Sequence, residues 1–265
     1  MAAMDPLPHL FDLLRPRLGG RPVVLGLAGA QGSGKSTLAA QLAARLTGER
    51  LKAAAVSLDD FYLPRARRLA LARSIHPLLA TRGVPGTHDL PLLLDVLQRV
   101  RRGRAACLPV FDKLADDRLP PQHWRNMARL DVLVLEGWCV GARPQPQALL
   151  AAPVNSLEAN EDAAGQWRRH VNATLAGHYQ RVWARLDALT FLAAPDWEAV
   201  PRWRAQQEAA LTRAQRRGGM NAAALLRFCA HYERLTGWQL ATMPARADLV
   251  LQLDAERRLV GVRKR

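Results

Sequence analysis

The segment GAQGSGKS, residues 29–36, constrains the fold of this chain more than any other feature. It has the spacing G-x-x-x-x-G-K-S, follows the apolar run PVVLGLA (22–28) and precedes STLAAQLAARL (36–46), whose apolar residues recur with helical spacing. A strand, a glycine-rich turn and a helix in this order direct several backbone N–H groups and the positive end of a helix dipole at one anion. The sequence therefore predicts a loop that binds a nucleoside triphosphate, within an α/β fold.

The loop also supplies candidate nucleotide-binding and metal-binding residues. Lys35 can reach the β- and γ-phosphates, and the hydroxyl of Ser36 can coordinate Mg²⁺. A glycine-rich turn without a ligand is the alternative, and the strand and helix on either side argue against it. The residues predicted to contact the nucleotide are Gly29, Ala30, Gln31, Gly32, Ser33, Gly34, Lys35, Ser36 and Thr37.

Acidic residues follow two of the predicted strands. The run LKAAAVSLDD (51–60) ends in Asp59 and Asp60, and DVLVLEGW (131–138) places Glu136 at the end of another strand. The carboxyl ends of parallel strands share one edge of a sheet, where ligands bind. We expect one of Asp59 and Asp60 to accept a proton from an attacking hydroxyl, and Glu136 to approach Mg²⁺ directly or through water. A turn or cap carboxylate is the alternative at each position.

The remaining pattern predicts one α/β domain over residues 1–265. Its expected architecture is a three-layer sandwich with a central, mostly parallel sheet. Residues 64–88 and 108–121 lack a clear period and are expected to be irregular, and Asp89 is the predicted N-cap of a helix. The other predicted elements are an N-terminal amphipathic helix in residues 1–20, helices at 89–103, 165–186 and 196–235, a loop at 143–153, and strands at 186–194 and 247–254.

Composition limits the classes of protein to consider. No stretch approaches the ~20 consecutive apolar residues of a membrane span, the N-terminus lacks the features of a secretion signal, and three separated cysteines favour a reducing cytoplasm. The net charge of +15 comes almost entirely from arginines spread along the chain. We therefore expect solvated charged surfaces, no membrane partner and no specific nucleic-acid partner. A basic, ATP-dependent nucleic-acid-binding protein is the alternative from another class.

Five motifs occur in a specific order: GxxxxGKS, VSLDDFY (56–62), GVPGTHDL (83–90), LPVFDKLADDR (108–118) and DVLVLEGW (131–138). With them, over residues 21–254, the chain resembles the phosphoribulokinase, uridine kinase and pantothenate kinase group of P-loop kinases, and within it D-glycerate 3-kinase and its relatives. The resemblance implies a P-loop NTPase fold and the cofactors ATP and Mg²⁺. It also implies that Asp59 and Lys35 are catalytic, that Ser36 and Glu136 belong to the metal site, and that Asp60 caps the turn or supports Mg²⁺.

On this resemblance, the irregular segments are expected to bind the acceptor. Hydroxyl-binding groups lie in GTHD, and a carboxylate-bearing acceptor would need an Arg or Lys, for which Arg82, Lys113 and Arg118 are candidates. A solvated loop charge is the alternative for each of these cations, and a structural hydrogen bond is the alternative for His88. The predicted acceptor-binding residues are Arg82, Thr87, His88, Asp89, Asp112, Lys113 and Arg118.

Residues 194–219 have the position of the helical lid in such kinases. Arginines of this segment are expected to reach the transferring phosphate when the lid closes, with the pair GG (218–219) as a hinge or a stop. The alternative is an amphipathic helix anchored by its two tryptophans. The candidate lid arginines are Arg202, Arg204 and Arg213.

Taken together, these patterns predict a cytoplasmic, ATP-dependent kinase that phosphorylates a hydroxyl of a small acidic metabolite, with D-glycerate as the favoured acceptor. The same chemistry on a nucleoside, a pantothenate-like acid or a sugar phosphate is the first alternative. A regulatory ATP-binding module without turnover is a third possibility. It is disfavoured because the sequence contains Lys35 and Ser36 together with both strand-end acids.

Overall fold

A six-stranded sheet lies at the centre of the computed structural model, which describes residues 4–215 and 220–265, except for the side chains of residues 211–215. The strands are β1 (Val23–Gly29), β2 (Ala53–Ser57), β3 (Ala106–Leu108), β4 (Phe111–Asp112), β5 (Asp117–Arg118), β6 (Arg125–Met127), β7 (Val132–Gly137), β8 (Ala188–Ala193), β9 (Leu249–Leu253) and β10 (Leu259–Lys264). The order in the sheet is β10-β9-β8-β1-β7-β2, and each neighbouring pair is parallel except β10 with β9. Two small antiparallel pairs, β3 with β6 and β4 with β5, lie outside it. The predicted central, mostly parallel sheet is therefore confirmed.

Helices cover both faces of this sheet. They are α1 (Leu7–Leu14), α2 (Lys35–Gly48), α3 (Arg65–Ser74), α4 (Leu90–Arg101), α5 (Ser156–Glu161), α6 (Gln166–Thr174), α7 (Gln180–Trp183), α8 (Ala199–Gln215) and α9 (Ala222–Thr242). Alternate residues of β1 face opposite layers, as the period of a strand requires: Val24 packs with α4, α7 and α9, and Leu25 packs with α1, α2 and α8. Every residue of β1 and β7 is buried, so these two strands form the middle of a three-layer sandwich, as predicted.

The second strand is shorter than the sequence predicts. β2 ends at Ser57, and Leu58–Phe61 forms a 3₁₀ turn. The hydroxyl of Ser57 accepts a hydrogen bond from the backbone N–H of Asp59 at 3.2 Å, which turns the chain out of the sheet. The prediction that the strand continues to Asp60 is therefore wrong. Both acids lie on a tight turn at the carboxyl edge of the sheet.

Residues 64–88, predicted to be irregular, contain α3 and a 3₁₀ turn, Pro77–Ala80. The helix has no apolar period because its buried residue is an arginine, Arg68, which is 0% exposed. The guanidinium of Arg68 donates hydrogen bonds to three carbonyl oxygens of the surrounding loops at 2.6–3.2 Å. A helix whose inward face is an arginine cannot be recognised from hydrophobic spacing.

Other boundaries agree with the sequence to different degrees. Asp89 caps α4, since its side chain accepts the backbone N–H of Leu92 at 3.3 Å, as predicted. The N-terminal helix is shorter than residues 1–20, and α1 packs into the core through the fully buried Leu10 and Leu14. β10 was not predicted, because only one of its six residues is buried and the strand has no buried apolar run. No helix in the described residues is long and apolar enough to cross a membrane.

Candidate active site

The predicted phosphate loop connects β1 to α2. Gly32 and Gly34 have φ of +76° and +87°, a left-handed conformation that favours glycine. A Cβ atom on Gly34 would meet nothing within 4 Å, so this glycine faces open space, whereas a Cβ atom on Gly32 would lie 2.7 Å from the Cβ of Trp203. Gly34 therefore leaves room for a ligand, and Gly32 allows α8 to approach the loop. Gln31, Gly32, Lys35, Ser36 and Thr37 line cavities here, while Ala30 and Ser33 are buried.

Ser36 and Glu136 meet where the loop reaches the end of β7. The hydroxyl of Ser36 donates to Oε1 of Glu136 at 2.9 Å. Glu136 is only 4% exposed, and its Oε2 has no hydrogen-bond partner among the described residues. A buried carboxylate oxygen without a partner, beside a hydroxyl, fits a hard cation such as Mg²⁺. The described residues contain no cluster of three or more His, Cys, Asp or Glu, so this donor set suits an ion that takes further ligands from phosphate and water.

Asp59 lies at the same edge, on the 3₁₀ turn after β2. Its Oδ1 accepts the hydroxyl of Tyr62 at 2.8 Å, and its Oδ2 lies 2.9 Å from Nζ of Lys113. Burial alone would raise the pKa of Asp59. The charges of Lys113 and Lys35 and the two hydrogen bonds outweigh burial and lower this pKa to about 2. Asp59 is therefore a carboxylate at neutral pH.

Asp60, its neighbour, points elsewhere. Its Oδ1 accepts the backbone N–H of Phe111 at 3.4 Å, and Oδ2 lies 3.8 Å from the guanidinium of Arg125. Burial raises the pKa of Asp60. Asp60 does not line the cavity that holds Asp59, and it ties the turn to the segment containing β4.

One cavity of about 140 Å³ brings the predicted chemical groups together. Lys35, Ser36, Asp59 and Glu136 line it, and it continues along the phosphate loop into a second cavity of about 300 Å³ that Thr37 and Arg257 line. Its other walls are Gln31, Gly32, Tyr62, Arg82, Lys113, Trp138, Arg204, Gln207, Phe228 and Tyr232. One cavity therefore holds the phosphate loop, the ionised carboxylate of Asp59, and two residues that can bind a metal ion, Ser36 and Glu136. Phosphoryl transfer requires this arrangement.

Two of the predicted acceptor-binding residues, Arg82 and Lys113, line this cavity. Lys113 is held by Asp59, and the guanidinium of Arg82 pairs with Asp116 and donates to the carbonyl oxygen of Lys113 at 3.3 Å. Arg82 also lies over the ring of Phe111, 5.5 Å from its centroid. The hairpin of β4 and β5 therefore links the two cations, because it contains Lys113 and also the groups that bind Arg82.

Two further predicted acceptor residues, Thr87 and His88, lie in the protein interior. Thr87 is fully buried, and its hydroxyl donates to the carbonyl oxygen of Val84 at 2.7 Å and accepts the N–H of Gly83. Nδ1 of His88 lies 2.6 Å from the hydroxyl of Tyr179, and burial lowers the pKa of His88 to about 4, so its ring is neutral. Neither residue lines the cavity. Thr87 and Nδ1 of His88 form hydrogen bonds within the fold, whereas Nε2 of His88 is buried and has no partner among the described residues.

The remaining predicted acceptor residues are also engaged elsewhere. Arg118 pairs with Asp89 at 2.7 Å, so each neutralises the other. The carboxylate of Asp112 accepts the backbone N–H groups of Leu114 and Ala115, which stabilises the hairpin turn. The structure does not bring these three acceptor candidates into the cavity.

The candidate lid arginines lie in different places on α8. Arg204 lines the cavity: its Nη2 lies 2.8 Å from Glu208, while Nη1 is buried and has no partner in the described part of the chain. Arg202 is exposed and does not line the cavity. The side chain of Arg213 and residues 218–219 lie outside the described residues. Trp203 is 1% exposed and anchors α8, which agrees with the amphipathic alternative as well.

Sequence reasoning missed three aromatic residues that shape the cavity. Tyr62 donates to Asp59, Trp138 donates its indole N–H to the carbonyl oxygen of Gly83 at 2.9 Å, and Tyr232 donates to the carbonyl oxygen of Arg82 at 3.0 Å. Tyr62 and Trp138 each lie two residues after a predicted strand-end acid, and this position was a usable signal. Tyr232 lies inside the long helix α9, where no sequence signal separates it from a core residue.

The chain is similar to known kinases in sequence and in structure. The chain is 35% identical over 246 residues to the uncharacterized kinase mug58 of Schizosaccharomyces pombe, covering 89% of this chain and 87% of that protein. It is 30% identical over 256 residues to the chloroplastic D-glycerate 3-kinase of Arabidopsis thaliana, spanning 53% of that longer protein. The solved structure of D-glycerate 3-kinase from Cryptococcus neoformans superposes with a TM-score of 0.77 and 26% identity, covering 98% of this chain and 96% of that one. No family model matches the chain.

Proposed function

This chain belongs to the P-loop kinases related to D-glycerate 3-kinase, and we propose that it transfers the γ-phosphoryl group of Mg-ATP to a hydroxyl of D-glycerate. That it is a small-molecule kinase follows from its relatives. The identity of the acceptor is the proposal. It rests on the chemistry of the acceptor side of the cavity and on the names of two relatives.

The pairing of Asp59 with Lys113 carries the proposal. A carboxylate and an ammonium lie 2.9 Å apart in the cavity that Lys35 and Ser36 also line. A small acceptor that has both a hydroxyl and a carboxylate matches this pair, with the hydroxyl on Asp59 and the carboxylate on Lys113. Arg82 lines the same cavity and adds a guanidinium. Uncharged nucleosides offer no negatively charged group for these two cations.

The reaction follows from these positions. The acceptor hydroxyl oxygen forms a bond to the γ-phosphorus, the bond from that phosphorus to the β,γ-bridging oxygen breaks, and the hydroxyl proton passes to Asp59. Lys35 holds the β- and γ-phosphates, and Nη1 of Arg204, which has no partner within the described residues, is available to the transferring group. Ser36 and Glu136 would hold Mg²⁺, which when bound neutralises phosphate charge.

Lys113 also links acceptor binding to proton transfer. The ammonium group that lowers the pKa of Asp59 is 62% exposed and sits on a hairpin. An acceptor carboxylate that draws Lys113 away removes a large part of this effect, so the pKa of Asp59 rises and the carboxylate becomes a better proton acceptor. On this account, an acceptor without a negative charge leaves Asp59 paired and reacts slowly.

ADP release from Mg-ATP with a panel of acceptors tests the proposal. The panel contains D-glycerate, glycerol as its carboxylate-free analogue, a nucleoside, pantothenate and a sugar phosphate. We expect turnover with D-glycerate, little with glycerol, and loss of turnover in Asp59→Asn with ATP binding retained. Turnover that favours another compound would replace D-glycerate as the acceptor, and full turnover in Asp59→Asn would remove Asp59 from the mechanism.

A further inference from the structure

A third cavity lies at the opposite edge of the sheet from the phosphate loop. Its volume is about 510 Å³, within the range of small-molecule sites. Asp187 and Asp248, which directly precede β8 and β9, both line it, so it opens at the amino ends of these parallel strands. We call it the distal cavity and define it by Arg143, Gln180, Trp183, Asp187, Arg246 and Asp248.

The two acids of the distal cavity already have partners. Asp187 accepts the backbone N–H of Val24 and pairs with Arg21 and Arg101 at 2.6 and 2.8 Å. Asp248 accepts the backbone N–H of Leu189 at 2.8 Å. These carboxylates therefore fix the starts of two strands and do not neutralise the other cations of the cavity.

Three arginines line the distal cavity, Arg143, Arg246 and Arg265, and none of them forms an ion pair within the described residues. Arg246 is half-buried, and its guanidinium donates only to the carbonyl oxygen of Gly141 at 3.3 Å and to the sulfur of Met243 at 3.6 Å. Arg143 lines the same cavity, and burial and then the charge of Arg143 lower the pKa of Arg246. Guanidinium groups with free N–H donors, placed together in a cavity, are suited to an oxyanion.

Trp183 also lines the distal cavity and carries a further N–H donor. Trp183 is buried, and its indole N–H has no acceptor in the described part of the chain. It belongs to α7, which follows a π-helical turn, Leu175–Tyr179, and such turns are rare and occur often at functional sites. Gln180, the first residue of α7, also lines the cavity, and its amide N–H groups donate to the carbonyl oxygens of Ala142 and Leu175.

We propose that the distal cavity binds the phosphate group of a small metabolite, held by Arg143 and Arg246 with the indole N–H of Trp183 as a further donor. Two neighbouring cations are neutralised by two negative charges, and a phosphate monoester carries close to two at neutral pH. A volume of about 510 Å³ suits a small molecule. This site is separate from the nucleotide and acceptor cavities and does not depend on the identity of the acceptor.

Calorimetric titration of the full chain, saturated with a non-hydrolysable ATP analogue and Mg²⁺ so that the phosphate loop is filled, tests the proposal. The probes are glycerol 3-phosphate, inorganic phosphate and glycerol. We expect glycerol 3-phosphate to bind, glycerol not to bind, and the Kd to rise about tenfold or more in Arg246→Gln. Tighter binding of the ester than of inorganic phosphate assigns the site to a phosphorylated metabolite, and equal binding assigns it to the free ion.

The matched control is Arg181→Gln, which removes the same charge from an exposed residue of α7 that does not line the cavity. Its Kd should equal that of the wild type. If Arg246→Gln fails to fold, Arg143→Gln replaces it, because Arg143 is exposed and contributes no side-chain hydrogen bond within the described residues. No binding to the nucleotide-saturated protein, or an equal loss in Arg181→Gln, overturns the proposal.

Discussion

The nucleotide side of the active site lies within nine consecutive residues, 29–37, whereas the acceptor side is assembled from distant parts of the chain. Lys113 reaches Asp59 across 54 residues, and Tyr232 reaches Arg82 across 150. The first side depends on local backbone conformation, which two glycines provide. The second depends on the packing of a hairpin and of α9 against the edge of the sheet. Substitutions on the nucleotide side should therefore weaken ATP binding, whereas substitutions on the acceptor side should leave ATP binding intact.

The largest expected effect comes from the nucleotide side. Lys35→Met should lower kcat by about 10³-fold, because the charge that stabilises the transferring phosphate is lost. It should also weaken ATP binding, whereas Asp59→Asn, a change of similar size in kcat, should leave ATP binding intact. Isothermal titration with ATP and steady-state kinetics measure both quantities. Equal ATP affinities in Lys35→Met and Asp59→Asn would contradict the division into two sides.

The next effect isolates the acceptor side. Lys113→Met should raise KM for D-glycerate by about 10- to 100-fold, the size expected for a lost charged hydrogen bond, and should leave KM for ATP unchanged. In the same variant, the preference for D-glycerate over glycerol should fall. Lys52→Met is the control, since Lys52 is exposed and precedes β2 at the opposite edge. An unchanged preference in Lys113→Met would remove Lys113 from acceptor recognition.

A pair of glycine variants sharpens the comparison within the loop. Gly34→Ala introduces a left-handed alanine and should destabilise the fold by roughly 1–2 kcal/mol. Gly32→Ala has the same strain and also places its Cβ 2.7–2.8 Å from the Cβ and carbonyl carbon of Trp203, so its loss should be larger by about 1–3 kcal/mol. Urea unfolding measures both free energies. Equal values would mean that α8 moves away from the loop at no cost.

The sequence was most informative where the chemistry is local. The spacing of residues 29–36 predicted the strand, loop and helix, and the acids after two apolar runs predicted where Asp59 and Glu136 would lie. These features depend on neighbouring residues and on the period of a buried strand, both of which the sequence states directly. The fold class followed from the same signals.

The acceptor side was less predictable because its residues compete for partners. Seven candidates looked alike in sequence, yet Arg118 pairs with Asp89, and the hydroxyl of Thr87 bonds to the backbone around it. Whether a cationic side chain lies in the cavity depends on which carboxylate is its neighbour in the folded chain. That neighbour is set by tertiary structure and cannot be read from the local sequence. The helix α3 was not predicted for a similar reason. Its inward-facing residue is the charged Arg68, which gives no apolar pattern in the sequence.

The smallest expected effect concerns pH and ties the two sides together, since Lys35 and Lys113 both act on Asp59. The pKa of Asp59 is lowered from its ordinary value of 3.8 to about 2, so its ionisation stabilises the fold above the ordinary value and this stabilisation is lost as the pH falls through about 2. In Lys113→Met the pKa should rise, because the largest attractive charge is gone.

The free energies of unfolding of the wild type and Lys113→Met should therefore differ at neutral pH and converge as the pH falls from about 5 toward 2. Lys113 is 62% exposed, so solvent screens the pair and the difference at neutral pH should stay below about 1 kcal/mol. Urea unfolding at a series of pH values measures it, with Asp59→Asn as the variant that lacks the contribution of Asp59 to the pH dependence. A difference that stays constant down to low pH would mean that Lys113 stabilises the fold through the packing of its hairpin, and the coupling of Lys113 to Asp59 would then play no part in catalysis.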